Sequence, residues 1–529
     1  MKHLNKIVLV ALAATMFNCS EDFEHPIEDI QVSAGEANFS KYIALGNSLT
    51  SGYRDNALYK SGQENSYPNM LAGLMKAAGG GEFKIPYMPN DTGGFTDLKD
   101  KNGNILFGGK LNLQIVNGAL TPVPSAPGGA LDILADKGKF QNMGVPGAKS
   151  YHLVAPGYGN PAGLKTDPAT ANPYFVRFAS GATTSVVADA VAQKPTFFSY
   201  WIGNNDVLGY ATSGGVGVDH NETGNVKPET YGSNDISNVN VVKSTINAGL
   251  KELTAVGAKG VIANIPSVTS IPYFTTVPYA PLSPANPSFA PMIDELNATY
   301  AGLNQVFDAV GASERKISFS KTAASAVVIK DKDLADLSAT ITSALIKSGY
   351  DAGTATLFGM TYGQARQATA KDLLVLTSSS VIGKVDTNRV AELMKLGLTQ
   401  EKAGKLAVVG VSYPMTDNYV LTAKETAKAE AAVVKYNAAI AELATAYNLA
   451  LVDTYSEMKK LSSQSGIKYY GQTYTTTFVS GGAFSLDGVH LTGTGYAIVA
   501  NMFADAINQK YHSTLRHVYP GNYPGIAIP

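Results

Sequence analysis

The stretch Phe39–Tyr53, FSKYIALGNSLTSGY, sets a serine on a tight turn directly after an apolar run. Tyr42–Leu45 reads as a short buried strand, the chain turns at Gly46-Asn47-Ser48, and a second glycine follows at Gly52. A hydroxyl at the end of a core strand can serve as a nucleophile when a base lies within hydrogen-bond reach. The same pattern also suits an ordinary loop serine. Several common routes to catalysis are absent. Cys19 is the single cysteine, so the body of the chain holds no thiol nucleophile and no internal disulfide. No G-x-S-x-G elbow, P-loop or H-E-x-x-H occurs. Gly157-Tyr158-Gly159 misses the dinucleotide fingerprint because Gly163 falls one residue late.

Gly46-Asn47-Ser48-Leu49 resembles the first block of the SGNH (GDSL-type) hydrolase superfamily, usually Gly-Asp-Ser-Leu, with Asn47 in the aspartate's place. The chain is similar in this to large lipoprotein members from the Bacteroidetes. The resemblance implies three further blocks in order. The first needs a glycine whose N–H enters an oxyanion hole, and Asn142–Ala148 (NMGVPGA) offers Gly147, where a side chain would block the acyl oxygen. The next, G-x-N-D, occurs twice, at Gly203–Asp206 and Gly232–Asp235. Only the first follows an apolar strand, at the C-terminal end where α/β sites are built. Asn205 is therefore the implied donor, and Asn234 is expected to cap a helix. The last, D-x-x-H, also occurs twice, at Asp22–His25 and Asp487–His490. Only the second precedes a C-terminal helix, and its spacing lets one short loop hold carboxylate and imidazole together.

The resemblance thus implies Ser48 as nucleophile, His490 as base and then acid, and Asp487 as the group orienting it. Ser48 N–H, Gly147 N–H and the Asn205 amide would form the oxyanion hole, and no metal or organic cofactor is called for. His152, five residues after Gly147, is read as a loop histidine lining the cleft. Asp206 is read as structural, holding the turn that aims Asn205.

Those residues need a rigid frame, and the pattern around them supplies one. Lys194–Ile202 and Gly260–Ile265 read as strands, as does Leu449–Asp453. Helices are expected at Ser66–Lys76, at 236–256 with Asn234 or Asp235 as cap, from the Thr422/Glu425 capping box to about Tyr447, and at 494–511. This alternation predicts an α/β fold, a flavodoxin-like three-layer sandwich with a central parallel sheet of about five strands. Residues 39–515 would form this hydrolase domain, with insertions at about 77–139, 207–235 and 275–410 and an extension at 516–529. Within 275–410, helices are expected around 291–310, 332–348, 363–377 and 387–397. The stripe Leu334, Leu337, Ile341, Leu345 could roof an acyl pocket or simply pack on the sheet.

The 529-residue chain is 45% hydrophobic with a formal net charge of −1, which argues against nucleic acid as a partner. At the N-terminus, Lys2 and Lys6 precede an apolar run, Ile7–Phe17, too short to span a bilayer and suited to a signal peptide over 1–18. Cys19 directly follows in a position resembling a bacterial lipobox, so a lipid-anchored envelope protein is expected, with residues 19–38 as tether. The address would be the outer membrane, with Ser20-Glu21-Asp22 pointing to surface exposure. The family resemblance implies an ester substrate, either an acyl lipid or an acylated glycan. A surface polysaccharide deacetylase and a ligand-capturing lipoprotein without turnover are the competing readings.

Overall fold

The computed structural model of the chain describes residues 31–529. The expected signal peptide, Cys19 and the Asp22–His25 copy lie outside these residues. Five short apolar segments form one parallel sheet: β1 (Tyr42–Gly46), β4 (Asn142–Gly144), β5 (Phe197–Trp201), β6 (Lys259–Ala263) and β7 (Ala450–Val452). The order across the sheet is β7-β6-β5-β1-β4. Every residue of β1 and β5 is buried, as expected of central strands covered on both faces. A separate antiparallel hairpin, β2 (Leu111–Val116) and β3 (Ala119–Pro124), pairs only with itself.

Helices cover the sheet on both sides. α2 (Tyr67–Lys76) packs with the C-terminal α9 (Gly493–Tyr511), while α3 (Val186–Ala192), α5 (Val239–Ala255) and α8 (Ala423–Ala446) pack together on the other face. The fold is therefore the expected α/β architecture. α8 opens on the expected capping box, with Thr422 and Glu425 bonded reciprocally. α5 does not begin where the sequence suggested. Its cap is Asn238, whose side chain accepts the Asn240 N–H, and Asn234 and Asp235 lie in the loop before it.

The long insertion builds a second core of its own. Tyr300 and Leu303 of α7 (Ile293–Ala309) meet Val328, Ile341, Leu345 and Phe358 there. Ile341 and Leu345 thus pack inside the insertion and roof no pocket. A helix over 363–377 does not form. The helix runs over Ala352–Tyr362, and Ala365–Gln367 pairs antiparallel with Val328–Lys330. Arg366 explains the switch, because its guanidinium is held between Asp331 and Asp372 at 2.7–2.9 Å, which an extended segment permits.

Both ends of the described chain dock on α9. Glu36 N–H donates to Tyr511 O, and Thr514 N–H donates to Ser33 O. The end of the expected tether is therefore fixed to the fold. The C-terminal extension folds back as well, with Val518 N–H bonded to Asn501 and Tyr523 O accepting the Thr494 hydroxyl.

Candidate active site

β1 ends against α1 (Ser48–Ser51), one turn of helix whose N-cap is Asn47. The Asn47 side chain accepts the Leu49 N–H and donates to Asn204 Oδ1 at 3.2 Å. This gives Asn47 a definite task. Glycines let the turn close tightly. A Cβ on Gly46 would lie 2.4 Å from Trp201 O, and one on Gly144 would lie 2.3 Å from Ser51 N. The strand ends thereby press onto α1 and hold Ser48 at its first position.

His490 reaches this serine from 442 residues away. Its Nε2 lies 2.9 Å from Ser48 Oγ, and its Nδ1 lies 2.9 Å from Asp487 Oδ2. The consistent tautomer has Nδ1–H donating to Asp487 and Nε2 accepting from the serine hydroxyl. Asp487 is held from all sides: Oδ1 accepts the N–H groups of Val489 and His490, and Oδ2 accepts that of Asn56. Burial alone would raise its pKa, but His490 and these hydrogen bonds outweigh burial and keep the carboxyl well below its usual range. The Tyr53 ring packs against the imidazole at 4.7 Å between centroids.

A second set of residues faces the serine's backbone. Gly147 follows β4 in the left-handed region at φ +80°, and space lies open where a Cβ would be. Among the described residues, neither the Ser48 nor the Gly147 N–H has a protein partner. Asn205 begins α4 (Asn205–Thr212), and its Nδ2 donates to Ala148 O at 2.9 Å, joining it to the Gly147 loop and leaving its second amide hydrogen free. Asp206 is fully buried and accepts both the N–H and the hydroxyl of Ser150 at 2.7 and 2.9 Å. It locks the Gly147 loop to α4, and burial raises its pKa despite the opposing charge of Lys149.

His152 anchors the same loop rather than standing free in a cleft. Its Nδ1 accepts the Lys149 N–H, and its ring stacks on Tyr158 at 4.5 Å. Burial, helped by the Lys149 charge, pushes its pKa down to about 3, so it stays neutral across the physiological range. The second G-x-N-D is a structural knot. Asp235 accepts the N–H groups of Val218 and Gly232 and pairs with His220 at 2.9 Å.

The turn Tyr53–Asn56 braces the Asp487 loop, which the sequence motifs did not reveal. Asp55 and Asn56 both have positive φ, at 52° and 61°. This aims Asn56 N–H at Asp487, while Asp55 accepts the Leu486 N–H at 3.0 Å and its own N–H donates to Ser485 Oγ. The Asp55 carboxylate also accepts the Tyr59 hydroxyl at 2.6 Å and lies 3.5 Å from Arg54 Nε. The one sequence signal was an Asp-Asn pair after Gly52, types that tolerate the left-handed region.

Among the described residues, no cluster of three or more metal-ligating side chains occurs, and no helix is long and apolar enough to cross a membrane. No family model matches the chain, and no curated protein matches its sequence. Solved structures to which it is similar include a catalytic mutant of an acetylxylan esterase from Geobacillus stearothermophilus, at 12% identity over 54% of this chain and 76% of that one, with a TM-score of 0.18. Another is a protein described as a GDSL-like lipase from Parabacteroides merdae, at 12% identity over 62% of this chain and 96% of that one, with a TM-score of 0.18. At such identity and scores, the likeness bears on neither substrate nor residue roles.

Proposed function

We propose that the protein is a serine ester hydrolase. The observation that carries this reading is the Ser48–His490–Asp487 relay, two 2.9 Å contacts that bring Ser48 together with a loop 442 residues away in sequence. In this reaction Ser48 Oγ attacks the ester carbonyl carbon as His490 Nε2 takes its proton. The carbonyl oxygen, now negative, is met by Ser48 N–H, Gly147 N–H and the free hydrogen of the Asn205 amide. The alkoxide leaves with the proton from His490. Water then attacks the acyl-Ser48 carbonyl, gives its proton to His490, and the acid departs as Ser48 is reprotonated. Asp487 stays ionised, holding the ring and balancing the imidazolium. No step calls for a metal or an organic cofactor.

The test is hydrolysis of nitrophenyl esters from acetate to palmitate by the wild type and by Ser48→Ala. Loss of turnover in the variant is expected, and equal turnover by both would refute the reading. We place the protein in a bacterial envelope, anchored through acyl chains on Cys19, because a unique cysteine follows a signal-like apolar run. Cys19→Ala should move the protein out of the membrane fraction. Unchanged retention would mean another anchor.

A further inference from the structure

We propose, resting on the ester-hydrolase reading, that the β2–β3 hairpin and the long insertion together bind a long apolar chain of the substrate. The hairpin tip touches the lipid phase from which that substrate is drawn. A cleft of about 1230 Å³ is lined by residues of both insertions together with Asn56, Leu486 and Asp487, the last a member of the relay, while Ser48 and His490 do not line it. Pockets for drug-sized ligands span roughly 300–1,000 Å³, so this space far exceeds what a short acyl group needs. The hairpin wall consists of Leu111, Val116, Leu120 and Pro122, with Asn117 and Thr121 as its polar positions. Val277, Leu282, Phe289 and Met292 of the insertion also line the cleft. Among the described residues, Lys384 and Asp487 are the only charged ones lining it.

The hairpin continues this surface into solvent. Ile115 is 67% exposed, Val116 39% and Leu120 51%. Val116 and Leu120 therefore belong at once to the cleft wall and to the exposed tip. A two-stranded hairpin is marginal in water, and the apolar side chains at its tip stay largely exposed rather than packing in a core. Ile115 and Leu120 are cross-strand partners on one face of the hairpin, and an exposed apolar pair beside the cleft suits a contact surface. Its position over the site is fixed at the base, where Leu111 N–H donates to Asp55 O at 2.8 Å and Asn56, the next residue, holds Asp487. A glycan suits the surface less well. Thr276, Ser283, Asn286, Ser288, Thr377, Ser379 and Ser380 offer polar groups on the insertion side, but the hairpin wall, with only Asn117 and Thr121, leaves most sugar hydroxyls there without partners.

The experiment has two arms. In the first, nitrophenyl acetate in solution is compared with a long-chain ester carried in phosphatidylcholine vesicles. For Val116→Asp combined with Leu120→Asp, the ratio of long-chain to acetate kcat/KM should fall about tenfold or more relative to wild type. An unchanged ratio overturns the chain-binding half. Equal hydrolysis by Ser48→Ala in this arm would instead overturn the ester-hydrolase reading. The second arm needs no turnover. In the Cys19→Ala background, Leu120→Cys is labelled with an environment-sensitive dye, and its emission should shift to the blue on adding the vesicles. No shift overturns the lipid contact, whatever the kinetics show.

Discussion

Replacing Asp55 with alanine should damage catalysis through a residue that never meets the substrate. The change removes the acceptor of the Leu486 N–H, the acceptor of the Tyr59 hydroxyl and the carboxylate nearest Arg54. Arg54 and Asp55 side chains are only 11% and 15% exposed, so the guanidinium is left with little compensation. Removing one partner of a buried pair costs about 3–5 kcal/mol, and this pair's residual exposure puts the expected loss near the lower end. The kinetic effect follows from the loop. Leu486 loses its tie to the 53–56 turn, Asp487 keeps only Asn56 from that turn, and His490 moves with them. A displacement of about 1 Å can cost roughly 10²-fold, so kcat should fall about 10–100-fold with KM little changed. Asp55→Asn retains an oxygen for Leu486 and should recover much of the rate. Urea unfolding and ester kinetics on all three proteins provide the assay. Lower stability with wild-type kcat in Asp55→Ala would show that the turn merely supports the fold, as would an asparagine variant no better than the alanine one.

The duplicated G-x-N-D blocks should separate cleanly: Asn205→Ala should lower kcat by about 10²–10³, as for loss of one oxyanion donor, while Asn234→Ala leaves kinetics at wild-type values; reversed effects would exchange their roles. Asp487→Asn should reduce kcat by about 10³–10⁴, because an NH2 group at the Oδ2 position faces Asn56 N–H and forces the wrong imidazole tautomer, while one at the Oδ1 position faces the Val489 and His490 N–H groups; wild-type kcat would refute this. Its acid stability should change too. The depressed Asp487 carboxyl contributes stability fully above about pH 4, lost as the pH falls through its folded value, so wild type should lose up to about 1.4 kcal/mol per pH unit more than the variant in that range. Parallel pH curves in urea titrations would contradict it. Asn47→Asp should keep kcat/KM within about threefold, because Asn204 can turn its amide towards the new carboxylate, whereas Asn47→Ala should cost about 1 kcal/mol of stability through the lost cap.

The sheet was legible because most of its strands carry short, mainly apolar runs and its helices carry caps or period, as at Thr422 and Glu425. The serine, glycine, asparagine and Asp-x-x-His positions were legible for a different reason, since each block sits where a strand ends or a C-terminal helix begins. What stayed hidden were partners set by distance in space. Nothing within Asn234-Asp235 told a helix cap from a knot around His220, because the deciding groups lie at Val218 and Gly232. Arg366 hid in the same way. Its segment looked helical until Asp331 and Asp372 were near enough to hold it extended.

The Tyr53–Asn56 turn ties these levels together. Tyr53 N–H bonds to Ser48 O, Asp55 O accepts from the hairpin base, and Asn56 N–H holds the Asp487 carboxylate. Ser48, the Asp487 loop and the hairpin are therefore joined within four residues, through backbone groups that no substitution other than proline removes. The hairpin cannot tilt at its base without loading the turn that positions Asp487. The insertions thus share a joint with the chemistry, and the hairpin's place over the cleft is set by the same local geometry that sets the relay. A conformational restriction at Asp55 or Asn56 should then affect substrate choice and turnover together. Proline at Asn56, which forbids φ +61° and removes the N–H, should be more damaging to both than any single change in the hairpin.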